Sequence, residues 1–468
     1  MLSIYCNVDP RLQIVAHNIL LLITSSKNIY YANSENFQID IEINISKVNN
    51  SFLIELTKGD KSFTLTEEIA ALNEKFTLRK ALFKALEKAT KKRPSPWGIL
   101  TGIRPIKLIS NYLNSNLEDP ISFLQNELLV SKDKVDLCLQ VVNNQKKITT
   151  TGINLYIGIP FCPSRCSYCS FTSYTIDKNK DMVDPYLKTL ILEMEYISKV
   201  IKKQKLKIGT VYIGGGTPTS LSDSQLKLLL KSIQSNFDND RIKEFTLEGG
   251  RPDTLTLSKM KLAKSFGVNR LSINCQSLNP QTLQNVNRNH TALEFVEAIK
   301  KAKSIGFDWI NTDLIYGLDG EGLLDFISSL NKTISLEPEN ITIHSLAVKR
   351  AADLKSHNSY HKEELEKGLS QVYNILKKAK YQPYYLYRQK AIAANLENTG
   401  FAKDGKISPY NVASIEESST ILALGCGAVS KIMTKNGFSP IQNPKDPNQY
   451  KMSLQKLVNQ KSSLLEKK

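Results

Sequence analysis

Apolar positions along the chain change their period partway through. Between Phe37 and Leu65 they alternate: Phe37, Ile39, Ile41, Ile43 and Ile45, then Phe52, Ile54 and Leu56, then Phe63 and Leu65. Period two with a turn at Lys58-Gly-Asp60 predicts antiparallel hairpins, because successive strand side chains point to opposite faces. A helical stretch is expected from Glu67 to about Lys91, after which Pro94-Ser-Pro-Trp-Gly-Ile-Leu-Thr-Gly-Ile-Arg-Pro105 breaks all periodicity. A further helical region carries Leu113, Phe123, Leu128 and Leu129 toward a polar linker near Asn143 to Thr151. Residues 1–150 therefore read as an α+β accessory domain.

From residue 152 short apolar runs alternate with amphipathic helices, the signature of βα units and a parallel sheet. Six strands are predicted, at Leu155–Ile159, Thr210–Ile213, Glu244–Leu247, Arg270–Ile273, Ile310–Ile315 and Ile341–His344. The first intervening helix shows Leu187, Leu190, Ile191, Met194, Ile197 and Ile201 on one face, the spacing of 3.6 residues per turn. Similar helices fit Asp223–Phe237, Leu257–Phe266, Thr291–Ile305 and Gly322–Ile334. Six βα units give a doubly wound sheet or a partial barrel, and either puts function at the carboxyl ends of the strands. Residues 151–350 thus read as an α/β core. Residues 351–468, with a helix near Lys362–Ala379, a tyrosine-rich Tyr381–Lys390 and a glycine-rich Leu424–Ser430, read as a mainly helical extension covering the active site.

With 468 residues and 41% hydrophobic content, the chain can bury two or three domain cores. Its apolar runs, such as Ile19–Thr24, fall short of the roughly 18 residues of a membrane span, and the first residues lack a signal-peptide pattern. The expected address is the cytoplasm. Seven cysteines are too few for a disulfide framework, and three of them cluster, which favours metal ligation in a reducing compartment. Cys6, Cys138, Cys275 and Cys426 are expected to be buried or incidental. The formal charge of +17 would suit a polyanion, yet Lys is dispersed over helix faces and tails, including Lys202, Lys203, Lys467 and Lys468, beside heavy Asn, Ile and Ser usage. That pattern matches the codon bias of an AT-rich genome.

The chemistry gathers after the first strand of the core. Cys162, Cys166 and Cys169 lie in Tyr156-Ile-Gly-Ile-Pro-Phe-Cys-Pro-Ser-Arg-Cys-Ser-Tyr-Cys-Ser-Phe171. Three soft thiolates suit an iron–sulfur cluster with one iron left open, or zinc if Cys138, Cys275 or His290 completes the set through the fold. Gly214-Gly-Gly-Thr-Pro218 ends the second strand, where glycine lets backbone approach a ligand. Glu248, Gln276 and Asp313 fall at the ends of or within strands three to five, and Arg288 and His290 precede the next helix. Each alone could be a structural ion pair. Together they describe a pocket for a nucleoside bearing an amino-acid tail, since carboxylates suit hydroxyls and ammonium while Arg suits a carboxylate.

This constellation resembles the radical S-adenosylmethionine (SAM) superfamily over residues 150–345, whose C-x3-C-x2-C loop follows the first strand of a partial (β/α)6 barrel. The resemblance implies a [4Fe–4S] cluster on Cys162, Cys166 and Cys169, and SAM cleaved there to a radical. Tyr-Ile-Gly-Ile-Pro-Phe-Cys, Tyr-Ile-Gly-Gly-Gly-Thr-Pro-Thr, Arg-Leu-Ser-Ile-Asn-Cys-Gln-Ser and Asn-Thr-Asp-Leu-Ile-Tyr-Gly-Leu are similar to segments of the oxygen-independent coproporphyrinogen III oxidase group. Pro94–Pro105, Leu247–Asp253, Ile343–Arg350, Tyr385–Lys390 and Asn395–Gly400 narrow it to the HemZ-type branch. On those matches Tyr156, Gly215 and Glu248 contact the cluster-bound SAM, and Tyr168, Gly216, Thr217, Gln276, Arg288 and Asp313 hold a second one.

The resemblance implies an oxidoreductase of porphyrin and heme biosynthesis, converting coproporphyrinogen III propionates to vinyls and giving protoporphyrinogen IX. It also implies a tetrapyrrole substrate and a low-potential electron donor such as flavodoxin or ferredoxin. Tyr384, Tyr385, Tyr387, Arg388 and Lys390 would offer aromatic walls and a cationic rim, or form a tyrosine-rich strand packed on the barrel. Three departures stand out: Cys169-Ser-Phe171 where the oxidase proper has a further Cys, Cys275 where the branch has Pro, and Asp319 after Gly-Leu where it has Pro. The first leaves open a heme-binding or heme-transfer protein without decarboxylase activity, with His344 or His290 as a heme ligand. A third alternative, a radical SAM tRNA-modifying enzyme, has only the charge in its favour, and no RNA-binding motif accompanies it.

Overall fold

A computed structural model describes residues 2–24, 26–31, 38–69, 74–102, 104–115, 119–148, 152–171, 173–237, 242–347, 362–389, 392–434 and 437–466. Phe37, Lys390, Lys467, Lys468 and the Val-Lys-Arg350 end of the quoted Ile343–Arg350 segment lie outside them. The chain divides into two compact units, Met1–Leu139 and Gln140–Lys468.

The first unit is a five-stranded sheet of β1 (Ile4–Asn7), β2 (Ile29–Tyr30), β3 (Ile41–Val48), β4 (Ser51–Lys58) and β5 (Lys61–Glu68), in the order β2-β1-β3-β4-β5. Strands β3 to β5 form the antiparallel meander that the alternation predicts, with Ile43 opposite Leu56 and Ile45 opposite Ile54. Helix Glu74–Thr90 buries Leu78, Leu82, Phe83 and Leu86. It begins later than the sequence suggests, since Glu67 and Glu68 finish β5. β1 joins in parallel between β2 and β3, a non-local pairing of a four-residue strand that no periodicity announces. The aperiodic Pro94–Pro105 segment is a packed loop. Trp97 is fully buried, and at Gly98 (φ +56°) an added Cβ would overlap the Leu128 and Leu129 backbone, so only glycine fits there.

The second unit is built on an eleven-stranded sheet. Its strands are β6 (Ile153–Ile159), β9 (Ile208–Gly215), β10 (Glu244–Glu248), β11 (Arg270–Ser272), β12 (Ile310–Tyr316), β13 (Asn340–Ser345), β14 (Gln382–Tyr387), β15 (Asn398–Ala402), β16 (Ile421–Leu424), β17 (Val429–Thr434) and β18 (Gly437–Gln442). A separate two-stranded pair, β7 (Phe161–Cys162) with β8 (Tyr174–Thr175), brackets the cysteine loop. The order is β14-β15-β13-β12-β11-β10-β9-β6-β16-β17-β18, and the run from β6 to β13 is parallel throughout. These are the six predicted strands of the partial barrel.

The strands are buried on both faces, and their apolar residues alternate with buried polar ones such as Asn154, Thr210, Thr246 and Asn311. Helix Lys180–Lys203 buries Leu187, Leu190, Met194, Ile197 and Ile201 against them. Capping boxes start two crossover helices, Ser222 with Gln225 and Thr291 with Glu294, which satisfies amides that would otherwise lack partners.

The extension contributes more sheet than its sequence suggests. Helices Lys362–Lys378, Pro409–Glu416 and Pro447–Glu466 are present, but β14 and β15 extend one edge, and β16 adds in parallel beside β6 with β17 and β18 following antiparallel. The polar stretch from Asn143 starts inside helix Lys132–Gln145, where Asn144 and Gln145 donate to the carbonyls of Pro383 and Tyr384 at 2.9 and 3.0 Å. Among the described residues no helix is long and apolar enough to cross a membrane.

Candidate active site

The carboxyl ends of β6 to β13 open into a cavity of about 710 Å³, and all twelve site residues expected from sequence line it. The cysteine loop leaves β6 and is anchored by its backbone. The Ser167 amide donates to the Val286 carbonyl, the Cys169 amide to Cys166, and the Asn287 side chain to the Arg165 carbonyl. Thr217 donates its hydroxyl to Cys162 Sγ at 3.5 Å. Burial holds the Cys162 and Cys169 thiols above their ordinary range, so ionisation there needs a cationic ligand to the sulfur. Among the described residues no three His, Cys, Asp or Glu side chains converge on a single ion. A cluster with one thiolate per iron does not ask for that convergence.

The glycine run is fastened to the same loop. The Gly216 and Thr217 amides donate to the carbonyls of Ile159 and Phe161 at 2.8 and 2.7 Å. A Cβ on Gly216 would stand 2.6 Å from Phe161 O and 2.8 Å from Cys162 Sγ, so only a bare Cα lets the glycine run lie against the cysteine loop.

Opposite it, Glu248 ends β10. Burial, then the Asp313 charge, push its carboxyl up to about 8, although the Tyr212 hydroxyl and the Gly215 amide donate to it. Asp313, on β12, is the converse. Burial raises its carboxyl, but the neighbouring His344 imidazole and the Asn311 and Thr342 side chains outweigh that and hold it below the ordinary range. Asn311 Nδ2 lies 2.9 Å from Asp313 Oδ1, and His344 Nε2 lies 3.7 Å from Oδ2.

Arg288 is buried with Nη1 on the Tyr168 hydroxyl at 3.0 Å and Nη2 on the carbonyls of Gly250 and Asn274 at 2.8 and 2.7 Å. Gln276 adopts left-handed φ (+66°), a strain tolerated where function requires it. Its Oε1 is buried without a hydrogen-bond partner, an acceptor left for a ligand.

Several wall residues had weak or no signal in the sequence. Tyr212 stands on β9 with its ring stacked between Tyr156 (6.2 Å) and Tyr410 (4.6 Å). Tyr212 and Arg251 lie inside quoted motifs and could have been found there. Tyr410 could not, for it arrives on helix Pro409–Glu416, fixed by buried Glu244, which accepts from the Ser408 hydroxyl at 2.7 Å and the Tyr410 amide at 2.9 Å. Among the described residues of the tyrosine-rich stretch, only Tyr387 and Gln389 reach the cavity. Tyr384 and Tyr385 are core residues of β14, and buried Arg388 donates to the Asn395 carbonyl, so they form a packed strand rather than walls and rim.

His290 is buried and absent from the cavity wall, which removes it as a heme ligand there. Cys275 is fully buried beside Thr312 and Thr333, and it too is no part of the wall.

A model of the radical SAM superfamily matches residues 156–332. The oxygen-independent coproporphyrinogen-III oxidase-like protein HemZ of Bacillus subtilis is 38% identical over 385 residues, 79% of this chain and 77% of that protein. The chain belongs to the radical SAM superfamily, in its HemZ-type branch. The heme chaperone HemW of B. subtilis is 39% identical over 194 residues, covering 41% of this chain and half of HemW. The coproporphyrinogen III oxidase HemN of Escherichia coli shares the fold at a TM-score of 0.54 and 23% identity, over 68% of this chain and 73% of that one.

Members of the radical SAM superfamily use a [4Fe–4S] cluster and S-adenosyl-L-methionine, and these are this protein's cofactors. The residues present fit them: three thiols on one loop, a cradle at Gly216 that a Cβ would fill, and an orphaned acceptor at Gln276.

Proposed function

We propose that this protein is a radical SAM oxidoreductase that decarboxylates the propionates of coproporphyrinogen III to vinyl groups. The observation that carries the reading is a single cavity joining the cysteine loop to a polar far wall of Asp313, His344 and Tyr387. Cys162, Cys166 and Cys169 would hold the cluster, and Tyr156, Gly215 and Glu248 the SAM that it cleaves. Tyr168, Gly216, Thr217, Gln276, Arg288 and Asp313 would hold a second SAM or frame the substrate. When bound, the cluster and SAM supply hydrogen-atom abstraction at carbon. The substrate loses one β-hydrogen atom, carbon dioxide and one electron per vinyl formed.

The protein's share is positioning. The stacked Tyr156, Tyr212 and Tyr410 rings offer an apolar wall, and Glu248, protonated at neutral pH until a cation sits beside it, can receive an ammonium. In this reading residues 1–150 are an accessory domain, residues 151–350 the catalytic core, and residues 351–468 a cover supplying Tyr387, Gln389 and Tyr410. A cytoplasmic flavodoxin or ferredoxin would deliver the electron.

The test is anaerobic incubation of the reconstituted protein with SAM, a reductant and coproporphyrinogen III. Vinyl products with wild type and none with Cys162→Ala are expected. An intact cluster without product sinks the decarboxylase. Phe171, two positions after Cys169 where the oxidase has its further Cys, is exposed and lines the cavity, and this favours a second reading as a heme-transfer protein. Stoichiometric heme binding without vinyl formation would decide for it.

A further inference from the structure

Three side chains at the far wall of the cavity are polar, close together and weakly engaged with one another. His344 is on β13, Tyr387 ends β14, and Gln389 follows two residues on. Tyr387 Oη lies 3.4 Å from His344 Nδ1, and Gln389 Nε2 lies 3.5 Å from Tyr387 Oη. Both separations exceed the usual hydrogen-bond length of about 2.7–3.2 Å, so none of these donors is saturated by its neighbours. All three line the cavity, and the His344 side chain is 28% exposed into it.

Behind the imidazole, at Nε2, stands Asp313, whose other carboxylate oxygen accepts from Asn311 at 2.9 Å. A carboxylate in that place orients a histidine ring. The outward nitrogen, Nδ1, faces the Tyr387 hydroxyl, which has the Gln389 amide as its other contact. Polar groups from three side chains, with the Tyr387 hydroxyl and the Gln389 amide as donors beside the imidazole, suit an acceptor with several lone pairs, which a carboxylate provides.

We propose that His344, Tyr387 and Gln389 form a subsite that docks a substrate carboxylate, with Asp313 as the residue that positions His344. This rests on the reading of the cavity as a tetrapyrrole chamber and assigns one propionate of the macrocycle to this wall. The cysteine loop occupies another part of the same cavity. Docking one acid group here would fix the ring and determine which propionate reaches the reacting end.

The test uses the reconstituted full chain and coproporphyrin III, the stable oxidised tetracarboxylate, in fluorescence titrations beside its tetramethyl ester. His344→Gln and Tyr387→Phe are each expected to weaken coproporphyrin III binding about tenfold or more, while ester binding stays equal among all three proteins. Circular dichroism melting checks the fold, and Gln389→Ala, a truncation at the cavity wall, serves if His344→Gln does not fold. Wild-type affinity in folded variants overturns the subsite and leaves the tetrapyrrole reading standing. Loss of heme binding alone, with coproporphyrin III unaffected, also overturns it, because His344 would then be an iron ligand. If wild type binds no tetrapyrrole at all, both the chamber reading and the subsite fall.

Discussion

Glu248 and Asp313 are two carboxyls on one wall driven in opposite directions, and the difference lies in their partners. Glu248 has burial and a like charge against it and titrates near 8, against 4.5 in the unfolded chain. Between those values the folded chain holds a proton that the unfolded chain has released, so this group's stabilisation is complete below about 4.5 and is lost as pH rises toward 8. The melting temperature of the cofactor-free protein is expected to fall across that window, and Glu248→Gln to flatten the fall. Identical slopes would mean that the carboxyl is already ionised. At this scale the sequence reveals acids, amides and arginines at strand ends, because a parallel strand is otherwise apolar and a polar residue there needs a reason. It does not reveal that His344 backs onto Asp313, a relation between adjacent strands set by register, with Asp313 opposite Thr342.

Among the elements, helix Pro447–Glu466 has the most unusual attachment. Lys461 and Glu193 are both fully buried, 2.6 Å apart. Lys461 also donates to the Ala423 carbonyl, and Glu193 accepts from the Tyr450 hydroxyl at 2.5 Å and the Gly425 amide at 2.8 Å. The pair therefore ties the last helix and helix Lys180–Lys203 to the turn after β16, where Cys426 and Gly427 border the cavity.

Removing one partner of such a pair strands the other charge. Lys461→Met is expected to destabilise the protein by about 3–5 kcal/mol, and adding Glu193→Gln to recover much of that loss. Urea unfolding of the single and double variants checks it, and an unaffected Lys461→Met would mean that Glu193 is compensated elsewhere. Crossover helices were legible from their apolar spacing. The strands β15 to β18 were not, because such short strands owe their form to the sheet they join.

At the scale of the whole molecule, the net charge of +17 is a property of composition, and no RNA-binding motif in the sequence accompanies it. Retention of tRNA is accordingly expected to drop at least about tenfold between roughly 50 and 200 mM salt, without sequence preference. Filter binding measures this, and tRNA binding that survives the salt would revive RNA as a substrate. The two rhythms of the sequence correspond to two kinds of architecture, an antiparallel meander with helices and a run of βα units.

The sequence by itself determined the cluster loop, the glycine cradle and the parallel core, since these depend on residue type at short spacing and on local periodicity. Tertiary structure alone decided which side chains meet across the cavity. Tyr410 stacks on Tyr212 from 198 residues away in the chain, Tyr384 and Tyr385 turn into the core while Tyr387 turns to the cavity, and Lys461 finds Glu193. Those outcomes follow from strand order and register, which are fixed by burying the whole apolar surface at once rather than by any local pattern.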